Sequence, residues 1–296
     1  MQNFFPLIYQ SQNYDWGKIG TNSLVYQLSQ KAGLTNEENP SKPYAELWMG
    51  DHPSLTSFIV LPNGDKVRLD EAIVENPERF LGKAYAQFQQ KKRLPFLFKV
   101  LSVEKVLSLQ IHPSKDIAKK LHETKPDVYK DDNHKPEISI ALSEFEALCN
   151  FRPYEELIET FRENEILAGF IGEEIITKFQ TCAPEDRSKC LRQIMEAFFQ
   201  KEKQQIQETI TKLIAQVSAK ESKTPRDKLV LKLQTQFPFD IGVLMSYLLN
   251  YLIIQPGQAF VMDPCEPHAY VYGNCLEGIF FWRFSILIIS NSNGCI

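Results

Sequence analysis

Pro95 to Pro113 reads PFLFKVLSVEKVLSLQIHP, and the fold turns on how this stretch is read. Pro95 to Leu101 is a nearly continuous apolar run opened by a proline. It suits a strand buried on both faces, although pattern alone leaves a buried helix open. After a break at Glu104-Lys105, Val106 to His112 (VLSLQIH) has the length and alternation of a second strand, which Pro113 ends. Side chains alternate faces along a strand. Ser108, Gln110 and His112 therefore point one way, while Leu107, Leu109 and Ile111 point into packing. A polar triplet on one face of a buried strand is costly unless it finds partners.

Working outward, the first 150 residues read mainly as strands and turns. Thr56 to Val60 is β-branched and aromatic, and Pro62-Asn63-Gly64 follows as a turn. Glu137 to Leu142 (EISIAL) alternates again. Leu69 to Phe80 looks helical, and Ser114 is placed to cap a short helix running to about Glu123. The character changes after Asn150. Tyr154, Leu157, Ile158 and Phe161 recur at helical spacing, as do Leu191, Ile194, Met195 and Phe198, and then Ile206, Ile210, Leu213 and Val217. Lys, Glu and Gln fill the positions between. Past Pro238 strand and turn signals return, with Pro256-Gly257 as a turn before Ala259 to Met262. The simplest architecture is mainly β: a β domain beginning in residues 1–152, a helical insertion over 153–236, and the remainder of the β domain over 237–277. Residues 278–296 form an apolar tail.

Composition narrows the function. A chain of 296 residues, 43% hydrophobic and 24% charged, reads as soluble and globular. Its net charge of −4 gives no basic field to recruit nucleic acid. No signal peptide and no membrane-spanning run is visible, so a cytoplasmic protein is expected. The six cysteines form no CxxC pair and read as reduced thiols. There is no HExxH, no phosphate loop, no GxGxxG and no GxSxG, so hydride transfer, nucleotide hydrolysis and serine chemistry lose support.

Three neighbourhoods hold the polar residues of interest. They are Ser108 to Pro113, Asp131 to Glu137 (DDNHKPE) and Glu266 to Tyr270 (EPHAY). Each alone has a bland reading: interior hydrogen-bonded residues, a solvated charged loop, a structural histidine. Together they supply two imidazoles and a carboxylate, a common zinc donor set. From the residues alone the ligands are His112, Glu137 and His268, with Gln110 supporting them from outside the ligand set. His134 is a rival, and His52 and His122 look like surface residues.

At these residues the sequence resembles type I mannose-6-phosphate isomerase. The matching stretches are Tyr14 to Gly17 (YDWG), Tyr44 to Gly50 (YAELWMG), Pro95 to Ser102, Leu107 to Pro113, Tyr129 to Glu137 (YKDDNHKPE) and Glu266 to Tyr270. The resemblance runs from about residue 3 to Glu277. It implies a cupin-like jelly-roll domain with a helical insertion. It also implies one Zn²⁺ per chain held by Gln110, His112, Glu137 and His268, so here Gln110 joins the ligands. The implied activity is interconversion of mannose 6-phosphate and fructose 6-phosphate through an enediol, supplying mannose for GDP-mannose. Trp16, Lys99, Ser108 and Tyr270 are then expected to bind substrate, and Lys135 and Glu277 to handle the proton. A hexose phosphate is the expected partner of a monomer, with no nucleic acid and no membrane. After Glu277 the resemblance stops: GIFFWRFSILIISNSNGCI stands where the family has an arginine-bearing segment and a second β domain. An inactive, truncated isoform that keeps the metal site is therefore the alternative expectation.

Overall fold

The structure, a computed structural model, describes residues 4–32, 39–82, 92–129 and 132–280. The tail beyond 280, with Arg283 in it, and Asp131 lie outside the described residues. The expected mainly β, cupin-like architecture with a helical insertion is present. Its centre is an eight-stranded sheet, labelled here in chain order: β1 (Gln10–Gln12), β2 (Glu46–Met49), β3 (Phe96–Val103), β4 (Glu137–Ala141), β5 (Phe145–Phe151), β6 (Leu249–Ile254), β7 (Ala259–Met262) and β8 (His268–Phe280).

The sheet runs in the order β6-β5-β8-β3-β2-β1, and β4 pairs with both β8 and β7. All of these pairings are antiparallel. β8 organises the rest. Its second half pairs with β3 on one edge and β4 on the other, and its first half pairs with β5. β8 continues through Gly278 to Phe280, so the first residues after Glu277 are strand.

β3 shows why an apolar run makes a buried strand here. Leu101 and Val103 join an inner cluster with Phe145, Ala147, Met262, Tyr270 and Cys275. Val100, on the other face, packs with Leu47, Val25 and Tyr26, the last two from the helix Leu24–Lys31. Both faces are covered from Lys99 onward, while Phe96 and Phe98 stay partly exposed. The first cluster buries several large side chains, each worth roughly 1.5–3 kcal/mol relative to exposure.

Two local expectations need correction. Leu69 to Phe80 is two helices, Leu69–Glu75 and Pro77–Leu81. Pro77 supplies no N–H to an earlier carbonyl, so the first helix stops and Asn76 caps the second through its side chain. Val106 to His112 is not a strand. Leu107 N donates to Tyr270 O, and only Gln110 forms a β-bridge, to His268. Leu107 reaches the inner cluster, Leu109 packs against the helical core, and Ile111 is 56% exposed rather than packed. One edge strand's worth of hydrogen bonds is made, but the regular alternation is not.

Seven α-helices and one short 3₁₀ helix, Pro184–Asp186, fill the chain between β5 and β6; the α-helices are Tyr154–Glu163, Glu165–Ile171, Glu173–Gln180, Arg187–Phe199, Lys203–Ala219, Pro225–Gln236 and Gly242–Met245. They interrupt a pair of neighbours, because Phe151 of β5 lies opposite Leu249 of β6. Of the twelve apolar positions read from spacing, Leu157, Phe161, Ile194, Phe198, Ile210, Leu213 and Val217 are buried, and Tyr154, Ile158, Leu191, Met195 and Ile206 are half-buried against them. Their core is continuous with the outer face of the sheet at Leu148, Ala269 and Val271. Among the described residues, no helix is long and apolar enough to cross a membrane.

Candidate metal centre

An irregularity in β8 decides which side chains meet. His268 and Tyr270 share a face, whereas Glu277 has the opposite parity and in a regular strand would point away. The pairing with β5 slips, however, between Ala147↔Tyr270 and Glu146↔Tyr272. One step of β5 spans two of β8, which is a β-bulge. Gly273 follows at φ +110°, where a Cβ would lie 2.4 Å from the carbonyl oxygen of Glu144. Beyond it the parity is inverted, and Glu277 returns to the face of Tyr270. The Tyr270 hydroxyl donates to Glu277 Oε1 at 2.8 Å.

Directly opposed residues of antiparallel strands project to the same face. Gln10, Trp48, Lys99, Glu277 and Ser139 form such a row across five strands. Lys99 Nζ lies 3.1 Å from Glu277 Oε2 and 3.5 Å from Glu46 Oε2. The Trp48 indole donates to that same Glu46 oxygen. Ser139 Oγ is 2.6 Å from the Tyr270 hydroxyl. All six residues of this network are buried.

The metal candidates stand beside it. Glu137 opens β4, two residues before Ser139. His112 Nε2 is 3.1 Å from Glu137 Oε1, and His268 Nε2 is 3.4 Å from Oε2. The three donor atoms lie within 4.8 Å of one another. Pro267 and a set of hydrogen bonds fix His268. Asn150 Nδ2 and Asp263 N donate to the Glu266 carboxylate, and His268 Nδ1 is 3.0 Å from the Glu266 carbonyl. A carbonyl only accepts, so the bond calls for the proton on Nδ1 and leaves a lone pair on Nε2.

The residues fit a metal on two counts. Both Nε2 atoms are buried and find no hydrogen-bond partner, although each lies within 3.4 Å of a Glu137 oxygen. Buried polar atoms without partners are rare, and a cation among the three donors satisfies both. The second count is charge. Glu46, Glu137 and Glu277 bring three negative charges against the one of Lys99, a surplus of two with the imidazoles neutral. A divalent ion cancels it. Two imidazoles and a carboxylate are zinc donors. Gln110 pairs with His268 through both backbone bonds, at 2.8 and 2.9 Å, which directs its side chain to the face of that ligand.

The electrostatics follow. Burial opposes the charge on Glu137, but the His112 and His268 imidazoles outweigh it and hold the carboxyl at about 2. Burial opposes the charge of His268 too, and Glu137 overcomes it, so its pKa is raised. Burial disfavours the Lys99 ammonium, yet Glu277 and Glu46 raise its pKa. Glu277 is raised, first by burial and then by Glu137 and Glu46 against the pull of Lys99.

The other residues singled out in the sequence scatter more. Lys99, Tyr270 and Glu277 are in the network. Trp16 is half-buried, stacked on Tyr14 at 5.8 Å, and packs on the inner cluster. Lys135 is half-buried two residues before Glu137, and Ser108 is exposed. His134 is buried but stands outside the donor cluster, and His52 and His122 are partly exposed. Sequence reasoning missed Glu46, Trp48 and Ser139. The signal for Glu46 was an acid inside the apolar run AELWM. Ser139 alternates in phase with Glu137.

The chain is similar to known proteins over most of its length. Residues 4–154 match the family model "Phosphomannose isomerase type I, catalytic domain", and residues 166–249 match its helical insertion domain. The chain is 40% identical over 274 residues to mannose-6-phosphate isomerase of Schizosaccharomyces pombe, covering 90% of this chain and 65% of that protein. It is 38% identical over 281 residues to that of Homo sapiens, covering 92% and 66%. A structure of mannose 6-phosphate isomerase from Salmonella typhimurium bound to fructose 6-phosphate and zinc superposes with a TM-score of 0.77 at 29% identity, covering 94% of this chain and 68% of that one. The chain spans 62–65% of the length of the first three curated relatives it matches. It belongs to the type I phosphomannose isomerase family.

Proposed function

We propose that this chain is a zinc-dependent aldose–ketose isomerase acting on mannose 6-phosphate and fructose 6-phosphate. The observation that carries the reading is the His112–Glu137–His268 cluster, with two buried unpartnered imidazole nitrogens, set beside the Lys99–Glu277 pair. Gln110 completes the ligand set. The reaction moves a proton between C1 and C2 through an enediol, and negative charge grows on the sugar oxygens. Zinc, when bound, supplies positive charge for those oxygens.

The chain's own residues do the rest. Lys99 Nζ lies 3.1 Å from Glu277 and 3.5 Å from Glu46, and an N–H not directed at either is offered to a substrate oxygen. Glu277, its pKa raised by burial, is suited to exchange a proton nearer neutral pH than an ordinary carboxylate. The Tyr270 hydroxyl fixes one of its oxygens. Lys135 is the second proton-handling candidate. Trp16 and Ser108 contribute to substrate binding, the exposed Ser108 as a phosphate contact. The working form is a monomer in the cytoplasm, and the product supplies mannose for GDP-mannose.

A coupled assay of fructose 6-phosphate formation, run with chelator and then with added zinc, tests the reading. Turnover that disappears and returns supports it. Zinc bound at one per chain with no turnover would replace it by the second reading, a metal-holding protein without catalysis. Glu277→Gln is expected to cut turnover by about 10²-fold or more while zinc content holds. Unchanged turnover would remove Glu277 from proton transfer, and the same comparison applies to Lys135→Met.

A further inference from the structure

Trp48 lies directly opposite Lys99 in the β2–β3 pairing, so the two side chains leave the sheet side by side. It meets the ammonium directly through its ring and indirectly through Glu46. Lys99 Nζ stands 5.0 Å from the centre of the indole ring, within cation–π range. The indole N–H donates to Glu46 Oε2, the oxygen 3.5 Å from Lys99 Nζ. Trp48 is itself held. It is 8% exposed, the His52 ring meets it edge-on at 4.9 Å, and Gln10 flanks it on β1.

We infer that Trp48 is a positioning residue: its N–H locks the Glu46 carboxylate and its ring backs the Lys99 ammonium, and together they fix the N–H that Lys99 has left for substrate. A carboxylate with one oxygen bonded to the indole cannot swing away from Nζ. A ring face behind the ammonium leaves one open direction. An ordinary core tryptophan needs neither contact, because its area is buried whichever way Glu46 points. This inference rests on the isomerase reading, in which Lys99 contacts the substrate, and it predicts a specific kinetic signature.

The experiment is Trp48→Phe in the full zinc-loaded chain, with Trp48→Leu beside it. Phenylalanine keeps a ring behind Lys99 but removes the N–H. The expected result is a KM for mannose 6-phosphate raised about tenfold, the scale of one hydrogen bond to a charged group, with kcat within about twofold and zinc content unchanged. Leucine removes both contacts and is expected to raise KM further. A merely structural tryptophan would lower the active fraction, and so kcat, at constant KM; that outcome overturns the inference. If Trp48→Phe fails to fold, benzothienylalanine at the same position, which swaps only the N–H for sulfur, keeps the test alive. A second measurement is independent of turnover. Lys99, loosened from Glu46, is expected to react with an amine-labelling reagent several-fold faster in Trp48→Phe, read by mass spectrometry. Faster labelling in a chain that never turns over sugar phosphate would sink the isomerase reading and keep the positioning role. Normal turnover with unchanged KM and unchanged labelling would do the reverse.

Discussion

At its start β8 presents His268 to Glu137 and His112, and toward its end it presents Glu277 to Lys99. Both places bury charge. In the second the chain itself supplies partners for every carboxylate: each touches Lys99, and Trp48 and Tyr270 donate to them as well. In the first it does not, since two imidazole nitrogens face a carboxylate without bonding it. The difference separates what folding completes from what a ligand must complete. The Lys99 row is preorganised by sheet register, whereas the Glu137 cluster is a cradle whose energy is realised on binding a cation.

Removing the anion from the cradle should break the comparison most severely. Glu137→Gln is expected to lower zinc content from about one per chain to a small fraction, with turnover falling about 10³-fold or more. Metal analysis and the coupled assay check both. Retained zinc at full stoichiometry would mean that His112, His268 and Gln110 suffice and that Glu137 is not a ligand.

Next in size is the cation of the self-satisfied row. Lys99→Met leaves Glu46 and Glu277 facing each other without their buried counter-charge. Breaking a buried pair by removing one partner costs about 3–5 kcal/mol. Denaturant unfolding should register that loss in the zinc-free protein as well as the loaded one, because the row does not depend on metal. A loss seen only in the loaded protein would show that the two places are one unit.

The bulge joining the two places gives a smaller effect. Gly273→Ala puts a Cβ at φ +110° and 2.4 Å from the Glu144 carbonyl oxygen. A non-glycine residue in such a region costs about 1–3 kcal/mol. If β8 relaxes to regular pairing instead, Glu277 is turned from Tyr270 and activity should fall by more than stability does.

Much of this was legible in the residues, and the exceptions have physical causes. Spacing revealed the helices because Leu157, Phe161, Ile194 and Phe198 recur with the helix period and are buried together. Glu137 and His268 were legible because each sits beside a proline at a strand start. Val106 to His112 has a strand's composition but not its ladder: its backbone bonds are scattered, at Leu107, Gln110 and His112, before the chain reaches Pro113. Pro77 carries the signal for the helix break, since a proline ends a helix at the residue before it. The bulge was not readable, since it depends on how Glu144 and Phe145 pack on Gly273. Without the bulge nothing in the spacing puts Glu277 on the face of Tyr270, so the Glu46–Lys99–Glu277 chain emerges only from register.

The smallest effect sharpens the comparison through pH. In the zinc-free protein Glu137 is depressed from 4.5 to about 2, so its contribution to stability is present above pH 4.5 and is lost as pH falls through about 2. His268 is raised from 6.5, so its contribution is present below pH 6.5 and is lost as pH rises through its higher folded value. Between these limits a proton on His268 does part of the work of the missing cation. The metal-free protein should therefore lose a few degrees of Tm as pH rises from about 6 to 8. The zinc-loaded protein should move the other way over the same interval, because zinc needs the neutral imidazole and its binding releases that proton. Thermal melts of both forms across this range test the opposition. Parallel curves would mean that His268 does not exchange a proton for metal, and the cradle would then be no more dependent on a ligand than the Lys99 row.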